Sequence, residues 1–286
     1  MCTTCGCSDD AKATITDLDT GKQVFMEDPA HHHHHDHDHD HNHHHHDHDH
    51  AHDHAHTHAN MHGTTISLEQ EILAKNDKLA ERNRGWFEGR NILALNLVSS
   101  PGSGKTTLLE KTIRDLNDDL PISVVEGDQE TVNDAARIKA TGCRVVQINT
   151  GTGCHLEADM LARSLQELQP PMDSVVMIEN VGNLVCPALF DLGEHCKVAI
   201  LSVTEGEDKP AKYPHMFSAA KVMLLNKIDL LPHLNFDVDA CIEYARSVNP
   251  HIKVMLVSAT SGEGMDEWYS WLKKQINSDA SQQDIA

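Results

Sequence analysis

The sequence predicts an α/β domain whose mostly parallel sheet is flanked by helices, preceded by a long tail without fixed structure. Three observations carry that expectation. The apolar run Ile92 to Val98 leads into Ser99-Ser100-Pro101-Gly102-Ser103-Gly104-Lys105-Thr106-Thr107 and then into an amphipathic stretch, which reads as strand, glycine loop and helix. Further apolar runs of strand length alternate with helix-length stretches down the chain, as in successive β-α units. One of these runs, Val222 to Leu225, ends directly at Asn226-Lys227-Ile228-Asp229.

The glycine loop defines the first chemistry. Gly102 and Gly104 let backbone N–H groups converge on phosphates without Cβ obstruction, with Ser103 and Thr107 in the same cradle. Lys105 reaches the β- and γ-phosphates, the Thr106 hydroxyl takes a magnesium position, and the helix N-terminus favours the anion. This is the phosphate-binding loop of a nucleoside triphosphatase, with Ser99 standing where the usual motif has its first glycine.

Length and charge bound the rest. Of 286 residues, 1–63 lack the apolar content for a core, 64–278 form the nucleotide-binding domain with its N-terminal helix, and 279–286 read as a flexible C-terminal tail. The formal net charge of −21 argues against nucleic-acid partners, which need basic surface. No run of about 18 apolar residues exists and Met1 to Asp10 has no apolar signal region, so a cytoplasmic protein without a membrane span is expected. The eight cysteines are then better read as metal ligands or buried thiols than as disulfides.

Within the tail, Cys2, Cys5 and Cys7 form C-x-x-C-x-C, three soft thiolates able to wrap one ion, with zinc, nickel and copper(I) all suitable. From His31 to His62 the chain alternates His with Asp, Ala and Asn, and 19 of the 24 histidines fall there. Without apolar periodicity this span is expected to be disordered, a reservoir of imidazoles for nickel, zinc or copper. Ser67-Leu68-Glu69-Gln70 resembles a capping box and opens a helix of about 20 residues that packs on the domain.

After the helix that follows the glycine loop, the strand Ile122 to Glu126 ends at Gly127-Asp128, where Asp128 is placed to hold magnesium or to orient the attacking water. A helix over 132–140 and the strand Arg144 to Ile148 come next. Gly151-Thr152-Gly153-Cys154-His155 then opens another helix. The strand ending at Glu179 runs into Asn180-Val181-Gly182, an acid-x-x-Gly in which the Gly182 N–H meets the γ-phosphate and Glu179 meets magnesium or orients the water. Whether Asp128 or Glu179 orients the water stays open. The charged loop Glu205 to Pro210 reads as surface, with nucleotide sensing as the alternative.

Asn226-Lys227-Ile228-Asp229 is the base reader. Asp229 can accept from guanine N1–H and the 2-amino group together, and adenine offers neither donor there, so ATP leaves a carboxylate unpaired. Asn226 is expected at the O6/N7 edge and the Lys227 stem along the ring, with the backbone at Ser258 and Ala259 completing recognition. Cys154, His155 and Cys186 are three N/S donors, short of closed tetrahedral coordination. Two facing copies could complete a shared site. Cys186 follows Gly182 by four residues, so nucleotide state can alter the ligand geometry. Cys143, Cys196 and Cys241 read as core or surface thiols.

Taken together, these residues resemble the hydrogenase nickel-incorporation GTPases, the HypB maturation factors. The resemblance spans about Ile66 to Leu272 plus the terminal C-x-x-C-G-C, and it makes both Ser99 and Glu179 expected. It implies a GTPase fold of the signal-recognition/MinD-like class, GTP and GDP as ligands with magnesium, slow intrinsic turnover and a homodimer promoted by GTP. It also implies nickel delivery to the [NiFe]-hydrogenase large subunit, a small zinc-containing nickel chaperone as partner, and an interface metal site at Cys154, His155 and Cys186. A nickel or zinc storage protein with a regulatory nucleotide site, or an accessory GTPase of urease or cobalamin enzymes, are the competing readings.

Overall fold

The computed structural model describes residues 13–26, 57–129 and 133–283, so Cys2, Cys5, Cys7 and most of the histidine tract lie outside the described residues. In chain order the elements are β1 (Thr14–Asp17), β2 (Gln23–Phe25), α1 (Thr57–Glu88), β3 (Leu93–Ser99), α2 (Lys105–Leu116), β4 (Ile122–Asp128), α3 (Asn133–Lys139), β5 (Arg144–Asn149) and α4 (Ala158–Leu168). There follow β6 (Val175–Glu179), α5 (Cys186–Leu189), β7 (Cys196–Ser202), α6 (Lys209–Lys212), α7 (Pro214–Ala219) and β8 (Ala220–Asn226). A 3-10 turn (Ile228–His233), α8 (Val238–Val248), β9 (Lys253–Leu256) and α9 (Met265–Gln283) close the chain.

The strands form one sheet in the order β2-β1-β5-β4-β6-β3-β7-β8-β9. Along that order all pairings from β5 to β9 are parallel, and β1 pairs antiparallel with both β2 and β5. β3 lies in the middle because it is apolar on both faces, and alternate residues serve the two sides. Leu93, Leu95 and Leu97 pack with Leu108 and Leu109 of α2 and Trp268 and Leu272 of α9. Ala94 packs opposite with Phe87 of α1 and Leu161 and Leu165 of α4. A third cluster joins Met223 and Leu225 of β8 to Phe217 of α7 and Cys241 and Ala245 of α8. Chain reversals from neighbouring strands therefore gather at the carboxyl ends of β3, β4, β6 and β8, the edge where open parallel sheets bind ligands.

The expectation that residues 1–63 add nothing to the core fails for 13–26. Thr14-Ile15-Thr16 is a short β-branched run, and Asp17 closes the turn by accepting from the amides of Asp19 and Thr20. The hairpin caps the otherwise open edge of β5, with Ile15 opposite Ile148 and fully buried. Ile15→Ala should lower stability by about 2–4 kcal/mol in a denaturant titration, whereas a tail residue would cost nothing measurable.

Helix α1 begins at Thr57, ten residues before the expected capping box, and runs through Gly85. Asn76 and Asn83, two turns apart on its inner face, are both buried. Asn76 donates to the Asp191 carbonyl and accepts from the Ala158 amide, while Asn83 donates to the carbonyls of Ala158 and Leu192. At the other end α9 continues to Gln283, so the C-terminal tail expected from 279 is helical for its first residues. No helix among the described residues is long and apolar enough to cross a membrane.

Candidate nucleotide site and metal centre

The loop after β3 takes the backbone path that its glycines permit. Gly102 and Gly104 have φ of +76° and +92°, left-handed values that a side chain resists. A Cβ on Gly104 would also come within 2.6 Å of Asn226 Nδ2. The loop borders a cavity of about 550 Å³ that Glu126, Asp128, Arg137, Glu179, Gly182 and Lys227 also line. Ser103 lies buried within the loop, and the Thr107 hydroxyl accepts from Arg137.

At the centre of the cavity floor, Thr106 donates to Glu179 Oε1 at 2.7 Å, and Lys105 Nζ stands 3.4 Å from the same oxygen. The parallel register sets Glu126 of β4 beside Glu179 of β6. Burial, with the negative charges of Glu179, Asp128 and Asp134 around it, pushes the Glu126 carboxyl up to about 9. Glu126 Oε2 and Glu179 Oε2 are both buried without a hydrogen-bond partner among the described residues. The orphaned Glu179 Oε2, on the carboxylate that the Thr106 hydroxyl also meets, suits a divalent cation, so the residues present fit the expected magnesium.

The base-reading loop is tied to the phosphate loop. Lys227 has φ of 65°, and its ammonium donates to the Gly102 carbonyl at 2.7 Å. Asn226 donates to the Ser103 carbonyl and accepts from the Ala259 amide, both buried bonds. Through these bonds Asn226 braces the two loops against each other. The Ser258 and Ala259 amides are likewise engaged internally, with the Glu263 carbonyl and Asn226. Ser258 acts instead through its hydroxyl, which donates to Asp229 Oδ1 at 2.6 Å and fixes the carboxylate.

Past Glu179 the chain turns over the phosphate loop. A Cβ on Gly182 would lie 3.1–3.2 Å from Pro101 atoms, so a side chain there would push the two loops apart by a few tenths of an ångström. Four residues later Cys186 opens α5 and meets the loop before α4. Cys154 Sγ and Cys186 Sγ are 3.1 Å apart without a disulfide, and Cys154 Sγ is 3.6 Å from His155 Nδ1. The donor atoms of Cys154, His155 and Cys186 all lie within 4.8 Å of one another. His155 is buried against the Phe190 ring at 3.9 Å, and burial pulls its imidazole down to about 4. It is therefore neutral at pH 7 and ready to donate a lone pair. Two thiols and an imidazole are a soft to borderline donor set, suited to nickel, zinc or copper. Cys143, Cys196 and Cys241 are buried apart from this group, each pushed up to about 12 by its apolar surroundings.

Against known proteins, the nucleotide-binding domain described as CobW/HypB/UreG matches residues 93–256. The hydrogenase maturation factor HypB of Escherichia coli K12 is 63% identical over 210 residues, which cover 73% of this chain and 72% of that protein. The chain belongs to the HypB family. HypB of Methanocaldococcus jannaschii, named as a probable maturation factor, is 36% identical and is covered over 96% of its length. Among solved structures, HypB from Helicobacter pylori in complex with nickel is 36% identical with a TM-score of 0.67, covering 72% of this chain and 96% of that one. HypB from Archaeoglobus fulgidus gives the same TM-score at 35% identity, covering 71% and 99%.

Three residues of this HypB-family site escape a motif reading. Glu126 is masked by the apolar strand around it, and its only signal is a charge at an inward position after Val124-Val125. Arg137 arrives from α3, where Glu110 at 2.7 Å and Asp134 at 3.1 Å hold it beside the cavity. Lys209, in the loop expected at the surface, reaches back to the Ser100 hydroxyl at 3.2 Å.

Proposed function

We propose that this HypB-family chain is a cytoplasmic, GTP-hydrolysing nickel metallochaperone that stores nickel and delivers it to the [NiFe]-hydrogenase large subunit through GTP-dependent dimerisation. The observation that carries this reading is the short path from the phosphate cavity to the soft donors. Gly182 touches the phosphate loop, and four residues later Cys186 stands at the metal centre.

Lys105 and the loop amides bind the β- and γ-phosphates and stabilise the charge that develops on them. Thr106, Glu179 and Asp128 would hold a magnesium ion, which supplies charge neutralisation at the phosphate oxygens when bound. Glu179 Oε1 is already engaged by Thr106 and Lys105, which favours Asp128 as the group that orients the water. Arg137 lines the cavity but pairs with Glu110 and Asp134 rather than pointing free, so unaided turnover should be slow. Slow hydrolysis serves as a timer for the switch loop rather than as a supply of product.

Val185 and Leu189, 46% and 52% exposed, flank Cys186 and would be covered in a two-fold dimer. Such a dimer brings two donor sets together and completes the coordination that one chain leaves open. The tail cysteines Cys2, Cys5 and Cys7 and the histidine tract supply storage, and a small zinc-containing nickel chaperone is the partner at transfer. Nickel and zinc compete for the same donors.

The test loads the full chain with nickel and mixes it with the large-subunit precursor. Nickel should appear in the precursor with GTP and not with a non-hydrolysable analogue. Equal transfer in both would leave a storage protein whose nucleotide site is only regulatory.

A further inference from the structure

Asn180 lies between Glu179 and the switch loop, 1% exposed, and every polar atom of its side chain is used. Its Oδ1 accepts from the Val181 amide at 3.0 Å and from the Leu156 amide at 3.3 Å. Leu156 directly follows Cys154 and His155. Its Nδ2 donates to Asn96 Oδ1 at 3.1 Å on the central strand, and Asn96 donates onward to Glu194 Oε1 at 3.1 Å. Glu194 faces Lys197 and accepts from the Leu192 amide. Asn83 of α1 then ties the Leu192 carbonyl to that of Ala158, at the start of the helix behind His155.

With the backbone from Leu156 to Ala158, these bonds close a buried ring that adjoins the loop of Cys154 and His155, with its nucleotide-side corner at Asn180. The backbone route through Gly182 reaches Cys186, and Asn183 on the same loop donates to the Cys154 carbonyl at 3.3 Å. Cys154 and His155 sit on a different loop, and Asn180 is a fully buried side chain that joins that loop to the strand end beneath the phosphates. We propose that Asn180 is a positioning residue that sets the placement of Cys154 and His155 according to nucleotide state. Engagement of Glu179 and Gly182 by a γ-phosphate turns the backbone at Asn180 and Val181. Because Asn96 holds the amide on its other side, the turn is passed to the Leu156 N–H. Leaving such buried groups unpaired is costly, so the two loops move together rather than part. All three donors then respond to one nucleotide signal, and the inference rests on the coupled reading of the two sites.

The test uses the full chain carrying Cys2→Ser, Cys5→Ser and Cys7→Ser, so that the thiolate-to-nickel charge-transfer band reports Cys154 and Cys186. Nickel affinity is measured with GDP and with a non-hydrolysable GTP analogue, with and without Asn180→Ala, and binding of a fluorescent GDP analogue checks folding. The parent should show affinities that differ by about fivefold or more between nucleotides, and Asn180→Ala should bring that ratio below about twofold. An unchanged ratio in Asn180→Ala overturns the role of Asn180 while the coupling stands. A parent with equal affinities removes the coupled reading and this inference with it. A second measurement needs no variant: exchange of the Leu156 amide in the parent should differ by about fivefold or more between the two nucleotides. Equal exchange contradicts the proposal whether or not Asn180→Ala folds.

Discussion

Asp229→Asn should lower GTP affinity by about 10³-fold and admit xanthosine triphosphate in its place. The carboxylate can accept from two guanine donors at once. Asparagine replaces one acceptor by an NH₂, which opposes the guanine 2-amino group and matches the 2-oxo group of xanthine. Ser258 already donates to Asp229 Oδ1, so the replacement side chain is held in the same orientation and the loss falls on base recognition rather than on loop order. Competition against a fluorescent guanine nucleotide measures it. Unchanged GTP affinity would remove the base-reading assignment and with it the reason to place GTP rather than ATP in the cavity.

Lys105→Ala should cut GTP hydrolysis by about 10³-fold, read as phosphate release in a single turnover. It should also weaken the nucleotide-free protein. The Lys105 ammonium stands 3.4 Å from the Glu179 carboxylate and opposes the upward pull on Glu126, so its removal leaves two buried acids without their cation. The empty protein should unfold at a lower temperature, and the deficit should be larger at pH 10 than at pH 8. The sign follows from Glu126, whose folded value of about 9 lies above its unfolded 4.5. Stability is lost as pH rises through that window, and losing Lys105 extends the window above 9, where the added deficit appears. Turnover within a few-fold of wild type would show that phosphate charge is met by other groups.

The parts of the site legible in the sequence are those in which neighbouring residues carry the chemistry themselves. Gly102, Gly104, Lys105 and Thr106 are fixed by the geometry of a phosphate on a helix N-terminus, and the loop follows the left-handed path their spacing implies. Cys154-His155 and Cys186 are soft donors whose meeting needs only that two strand-end loops face each other, as the sheet order makes them do. What sequence could not show depends on partners far along the chain. Asn226 looks like a base contact because of its motif, and only the fold shows that its amide also braces Ser103 and Ala259. Ile15 lies in a stretch too short and too polar to signal a strand, and it gains its burial from β5 more than a hundred residues away. Asn83, Asn96 and Asn180 are ordinary polar residues in sequence, and only the packing that buries them makes their amides a connected ring.

The most direct measurement is reciprocal: affinity for a non-hydrolysable GTP analogue, with and without nickel, in the full chain carrying the three tail-cysteine substitutions. If the phosphate loop and the Cys154, His155 and Cys186 donors share one switch segment, nickel must change the analogue's affinity by the same factor by which the analogue changes nickel's. Cys186→Ala should abolish that change while GDP binding persists. An affinity for the analogue that is identical with and without nickel would contradict the link between the two sites.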